Sequence, residues 1–212
     1  MFKNSIQKYF IYFFLSGGLL SPCAANDELG QLMADLKNPA ALKIYYQETR
    51  NLELIDRPWR GSGYMYALPP NIMIREQLQP QRLLMGIDAD HLYYFDPVND
   101  IRHQAEMDEE DPLSLNIAVF KALMNADQIL LHKIYQVEFR KQIDRWQMIL
   151  TPRKTPDSGF TIEISGFLQQ PADNIQIKQA DGDTSIFSLK QTASVDELET
   201  KVKRLYTELL DE

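Results

Sequence analysis

The residues from Ile87 to Asp96 constrain the fold more than any other stretch of this chain. An apolar run ends at Ile87, and Asp88-Ala89-Asp90 supplies turn-formers. Leu92, Tyr93, Tyr94 and Phe95 then lead away until Asp96-Pro97 stops the run. Turn residues between two runs rich in aromatic and aliphatic side chains are the grammar of a β-hairpin. Both faces of the second run are apolar, which predicts a hairpin covered on each side.

The same grammar repeats along the chain. Ala41 to Ile55, Arg60 to Leu68, Asn71 to Leu78 and Arg82 to Ile87 read as strands, with breaks at Asp56-Arg57-Pro58, Pro69-Pro70 and Gln79-Pro80. After the hairpin come Ile101 to Met107, Ile134 to Lys141, Arg145 to Thr151, Gly159 to Leu168, Asn174 to Ala180 and Thr184 to Gln191. Asp181-Gly182 is a strong hairpin turn between the last two. Gly61 and Gly63 predict a bulge or sharp bend, a usual way to curve a sheet.

Three stretches are helical in pattern. Asp27 to Leu36 is amphipathic, with Leu29, Leu32, Met33 and Leu36 at helical spacing. Pro112 opens Leu113 to Met124, apolar almost all round through Leu115, Ile117, Val119, Phe120 and Leu123, with a short echo at Ile129 to Leu131. So wide an apolar surface must be buried on more than one side. Ser194 and Glu197 form a capping box before a stripe of Val195, Leu198, Val202, Leu205 and Leu209. About ten or eleven antiparallel strands with one helical insertion make an α+β fold. A sheet that wide curls, so the expectation is an incomplete β-barrel with a helical lid, plus N- and C-terminal helices.

The first residues differ in kind from the rest. Lys3 and Lys8 precede an apolar run from Tyr9 to Leu20, and small residues follow at Cys23-Ala24-Ala25. That order is a secretory signal peptide over residues 1–25, with cleavage after Ala25, leaving a single domain over 26–212. Leu20-Ser21-Pro22-Cys23 offers a rival reading as a lipoprotein signal acylated at Cys23, although Pro22 fits that pattern poorly. With the leader gone no cysteine remains, which points to a bacterial periplasm. Removing Lys3 and Lys8 leaves 20 basic residues against 30 acidic ones, a net charge of −10. Such a chain has no basic concentration for nucleic acid and gains nothing from anionic head groups.

Catalytic signatures are absent. Gly61-Ser62-Gly63 is too short for a nucleophile elbow, and there is no phosphate loop. His91, His103 and His132 lack metal-ligand spacing, so no metal or other cofactor is expected. Asp88/Asp90 and Asp181/Asp183 bracket tight turns, which is what aspartate does there. Glu109-Glu110-Asp111 reads as a solvated loop, with docking of a basic partner as the alternative. What remains is an apolar surplus. Met65, Met73, Met85, Met107, Met124 and Met148 are spread over strands and helix beside many aromatic residues. Methionine adapts to irregular apolar shapes and suits a pocket for flexible acyl chains.

Against this background the chain resembles the outer-membrane lipoprotein carrier family, the LolA-like proteins. The resemblance begins at Gly63-Tyr64-Met65-Tyr66, Pro69-Pro70-Asn71 and Arg75. It is strongest over Asp88 to Pro97, and continues at Pro112-Leu113, at Trp146 with Leu150 to Lys154, and at Asp181-Gly182-Asp183. It covers about Leu42 to Gln191. It implies a periplasmic carrier or chaperone that holds acyl chains of a lipoprotein or other lipid and moves it toward the outer membrane, without covalent chemistry. Inner-membrane donors and outer-membrane acceptors are the implied partners, and a monomer is expected. Two departures stand out: Pro69 falls where the family has a lid-latching arginine, and the C-terminus is helical. They keep open a lipid-sensing or assembly module, for example in a glycolipid or aryl-polyene pathway. Strand phase selects Met65, Met73, Met85, Tyr94, Phe120, Leu123, Phe139, Trp146 and Met148 as the candidate cavity lining.

Overall fold

The computed structural model describes residues 24–36, 41–106, 119, 121–123, 125, 127–192 and 197–210. Residues 1–23 of the predicted signal peptide, the Glu109–Asp111 loop, Ser194 of the capping box and most of the Leu113–Met124 stretch lie outside them. Eleven strands form one antiparallel sheet. They are β1 (Leu42–Asn51), β2 (Trp59–Leu68), β3 (Ile72–Gln79), β4 (Leu83–Ile87), β5 (His91–Asp96) and β6 (Ile101–Glu106), then β7 (Tyr135–Lys141), β8 (Arg145–Pro152), β9 (Thr161–Phe167), β10 (Ala172–Lys178) and β11 (Thr184–Gln191). Helices α1 (Ala24–Leu36), α2 (Gln128–Ile134) and α3 (Leu198–Leu210) accompany them. The order across the sheet is β6-β5-β4-β3-β2-β1-β11-β10-β9-β8-β7. Two meanders thus meet where β1 pairs with β11, and the edge strands β6 and β7 do not pair. The barrel is open.

The predicted strands are all present, with local shifts. Strand β1 stops at Asn51, because Leu52 to Ile55 close a turn in which the Ile55 N–H donates to the Leu52 carbonyl at 3.0 Å. Ile134 ends α2 instead of opening β7. The bend predicted at Gly63 is a register shift between Ser62 and Gly63 in the β2–β3 ladder. A Cβ on Gly63 would lie 2.0 Å from the Glu76 carbonyl oxygen, so only glycine lets β3 come so close.

Two cores lie on opposite faces and over opposite halves of the sheet. On one face, Leu29, Leu32 and Met33 of α1, with Val119, Ala122 and Leu131, pack on Tyr46, Trp146, Met148, Leu150, Ile162, Ile164, Ile175 and Phe187. On the other, Leu198, Val202, Leu205 and Leu209 of α3 pack on Tyr66, Ile74, Leu84, Tyr93 and Phe95. Each such apolar side chain contributes roughly 1.5–3 kcal/mol when buried. The α3 helix sits so close that a Cβ on Gly86 would lie 2.4 Å from Leu209 Cδ1.

The central hairpin departs from expectation. It pairs β4 with β5, one strand in from the β6 edge, and α3 covers its Tyr93 and Phe95. Leu92 and Tyr94 point to the other face, where they stay half-buried. The sequence predicts cover on both sides; among the described residues a helix packs on one of them. Apolar residues on both faces here mark a core on one side and a lined surface on the other.

Candidate functional site

Ladder register places seven of the nine sequence-selected residues on one face, the α1 face. Met65 opposes Arg75, Arg75 opposes Met85, and Met85 opposes Tyr94. Across the junction, Phe187 opposes Ile175, Ile175 opposes Ile164, Ile164 opposes Met148, and Met148 opposes Phe139. Directly opposed residues share a face, and so do residues two apart on a strand, which brings in Met73 and Trp146.

The two halves of this face then diverge. Trp146 and Met148 are 1% and 0% exposed in solid core, and the half-buried Leu123 and Phe139 pack against it. The Trp146 indole N–H donates to the Gln170 carbonyl at 3.2 Å. Over β2 to β5 the face opens into a half-open groove of about 160 Å³, bordered by Met65, Met73, Met85, Ile87, Leu92, Phe187 and Arg75. Tyr94 lies beyond it, its ring 6.0 Å from that of His103. Phe120 is outside the described residues. Three of the nine residues therefore border the groove, all of them methionines.

The groove wall carries charge that strand phase did not select. Glu48, only 2% exposed, accepts from both Arg75 and Arg50. Arg75 Nε also donates to the Tyr46 hydroxyl at 2.9 Å. Burial pushes the Tyr46 phenol above its ordinary pKa, with Arg75 pulling the other way. A signal was present in the sequence: Glu48 follows Ile44 and Tyr46 on the apolar phase of β1, where a carboxylate needs a partner.

One rim of the groove holds the helical insertion. Lys121 Nζ donates to the carbonyls of Asp88 and Ala89 at 3.1 and 3.0 Å, and Asn125 Nδ2 donates to the Pro70 carbonyl at 3.0 Å. These two residues, one helical turn apart, grip the β4–β5 and β2–β3 turns. The opposite face is clamped separately. Arg82 reaches Glu76 at 3.1 Å and Glu208 of α3 at 3.0 Å, while Lys201 lies 3.5 Å from Glu76. Asp181 and Asp88 cap their turns as expected, accepting from the N–H groups of Asp183 and of Asp90 and His91. Among the described residues no group of three His, Cys, Asp or Glu side chains could hold a metal ion, and no helix is long and apolar enough to cross a membrane.

An open antiparallel sheet, helix-backed on both faces, is an incomplete β-barrel. No family model and no curated protein matches the chain. Among solved structures it is similar to a DUF1329 family protein from Desulfovibrio piger, at 9% identity and TM-score 0.50 over 84% of this chain and 96% of that one. A LolA superfamily protein from Nitrosomonas europaea aligns at 8% identity and TM-score 0.46, over 81% of this chain and 94% of that one. The Mycobacterium tuberculosis lipoprotein LppX aligns at 10% identity and TM-score 0.41, over 83% and 99%. Identities this low speak to fold alone.

Proposed function

We propose that the protein is a periplasmic carrier or chaperone that seats an acyl chain of a lipid or lipoprotein in the groove over β2 to β5 and delivers it toward the outer membrane. The observation that carries this reading is the groove itself, a half-open apolar hollow whose lining includes three flexible methionines. Burying an acyl chain yields roughly 0.8 kcal/mol per CH₂, enough to compete with a membrane for part of a chain. At about 160 Å³ the hollow is smaller than ordinary ligand pockets of roughly 300–1,000 Å³, and it suits a stretch of one chain. Loss of residues 1–25 leaves Leu29, Leu32 and Met33 in place to fill the neighbouring core.

Native mass spectrometry of protein purified from its own periplasm tests the reading. The expected result is a bound acyl-bearing species that leaves when lipid vesicles are added. Retention in the presence of vesicles favours a sensing or assembly role. Protein that carries nothing and takes up no acyl compound added to it overturns the proposal.

A further inference from the structure

Among the described residues, the charges beside the groove do not balance. Arg75 and Arg50 converge on Glu48, and no second carboxylate reaches either guanidinium. Arg75 is only 17% exposed at its side chain, yet it has donors to spare. Its Nε–H goes to Tyr46, and Nη2 serves Glu48 and, at 3.5 Å, Gln77. The two N–H bonds of Nη1 have no partner among the described residues. Nη1 is not among the buried polar atoms left without a partner, so its two N–H bonds still face solvent at the groove and are open to an oxygen of whatever enters it.

Its plane is also held. The guanidinium carbon stands 4.7 Å from the Tyr46 ring centre and 5.7 Å from that of Phe187, and Arg75 is fixed in the ladder directly between Met65 and Met85. A chain laid along those methionines therefore runs past this one cation. Arginine in such a setting receives planar or tetrahedral oxyanions through paired hydrogen bonds.

We propose that the groove selects single-chain amphiphiles with an anionic end, a carboxylate or a phosphate monoester, and that Arg75 receives that end while Arg50 supplies the balancing charge. The proposal rests on the groove being an acyl site, and names the chemistry it prefers.

Titration calorimetry at pH 8 with dodecanoate, dodecyl phosphate and dodecan-1-ol tests it. The expected result is that at least one anion binds about ten- to a hundredfold more tightly than the alcohol, the range of a charged hydrogen bond. The tighter anion shows whether a fatty acid or a phosphate head is the natural end. The double variant Arg75→Met/Glu48→Gln, which leaves neither charge of the pair stranded, should lose that preference and keep its affinity for the alcohol. The half-buried Arg50→Gln is a second, milder variant, since it leaves Glu48 its bond to Arg75. It should lower affinity for the anions severalfold and leave the alcohol unchanged. Equal affinity of the native protein for all three compounds overturns the role of Arg75 and leaves the groove standing. Absence of binding by any of them overturns the groove reading as well.

Discussion

Asp88, at the tip of the β4–β5 turn, divides its work between two oxygens. Oδ1 accepts from the N–H groups of Asp90 and His91, both at 2.9 Å, while Oδ2 accepts from the hydroxyls of Tyr93 and Tyr206, both at 2.7 Å. Burial opposes the charged form, but these four hydrogen bonds outweigh it and hold the carboxyl below its usual range. A carboxyl with a depressed folded pKa stabilises the fold fully above its unfolded value of about 3.9 and loses that contribution as pH falls through the lower folded value. Asp88→Asn is therefore expected to cost about 1–3 kcal/mol at pH 7. The gap to the native protein should close progressively below about pH 4, as read from urea midpoints across pH. The turn role of Asp88 was legible from its neighbours. Its bond to Tyr206 was not, since 118 residues separate the two. Gly63 makes a harsher test. The atom that a Cβ would strike is a backbone oxygen in the next strand and cannot swing away. Gly63→Ala should cost several kcal/mol, because β2 and β3 must part to admit the methyl group, and a drop in melting temperature would register it.

Helix α3 was legible as a helix because Leu198, Val202, Leu205 and Leu209 recur at its period. Its docking side was not. Strands β2 to β5 are apolar on both faces, so nothing in the pattern decides which face a distant helix will cover. Tyr66, Ile74, Leu84, Tyr93 and Phe95 answer that only once the ladders are known. The eleven strands themselves were readable because turn-formers punctuate almost every one, and a run between two such stops has little choice but to pair. Leu205, fully buried at the centre of the α3 core, gives a direct measure of the dock: Leu205→Ala should cost about 2–5 kcal/mol in urea unfolding. The insertion buries Val119 and Ala122 in the α1-face core and is tied at its polar side by Lys121 and Asn125 to turn carbonyls. Lys121→Met with Asn125→Ala removes those three hydrogen bonds and leaves the sheet intact. Amide exchange at Val119 and at 121–123 should then rise, while protection in α3 is unchanged.

At the scale of the whole molecule, the α1 face is half solid and half open, and this division was the part of the site hidden from sequence. Period-2 phase selects Met65, Met73, Met85, Tyr94, Phe139, Trp146 and Met148, and the ladders set these seven on one face. Phase carries no information about what lies above a face. Helix α1, with Val119 and Ala122, fills the space over β8 to β11, while among the described residues that over β2 to β5 is a half-open groove. A paired substitution separates the two situations. Met148 is 0% exposed and surrounded, so Met148→Trp forces extra volume into close packing and should cost about 1–3 kcal/mol or more. Met85 borders the hollow, so the larger ring of Met85→Trp can lie in vacant space. That variant should melt within a few degrees of the native protein and yet lose at least tenfold in affinity for a dodecyl compound, because the indole stands where the chain would lie. Equal destabilisation by both substitutions would mean that the groove is closed in solution. Unchanged affinity in a stable Met85→Trp would place any acyl site elsewhere on the sheet.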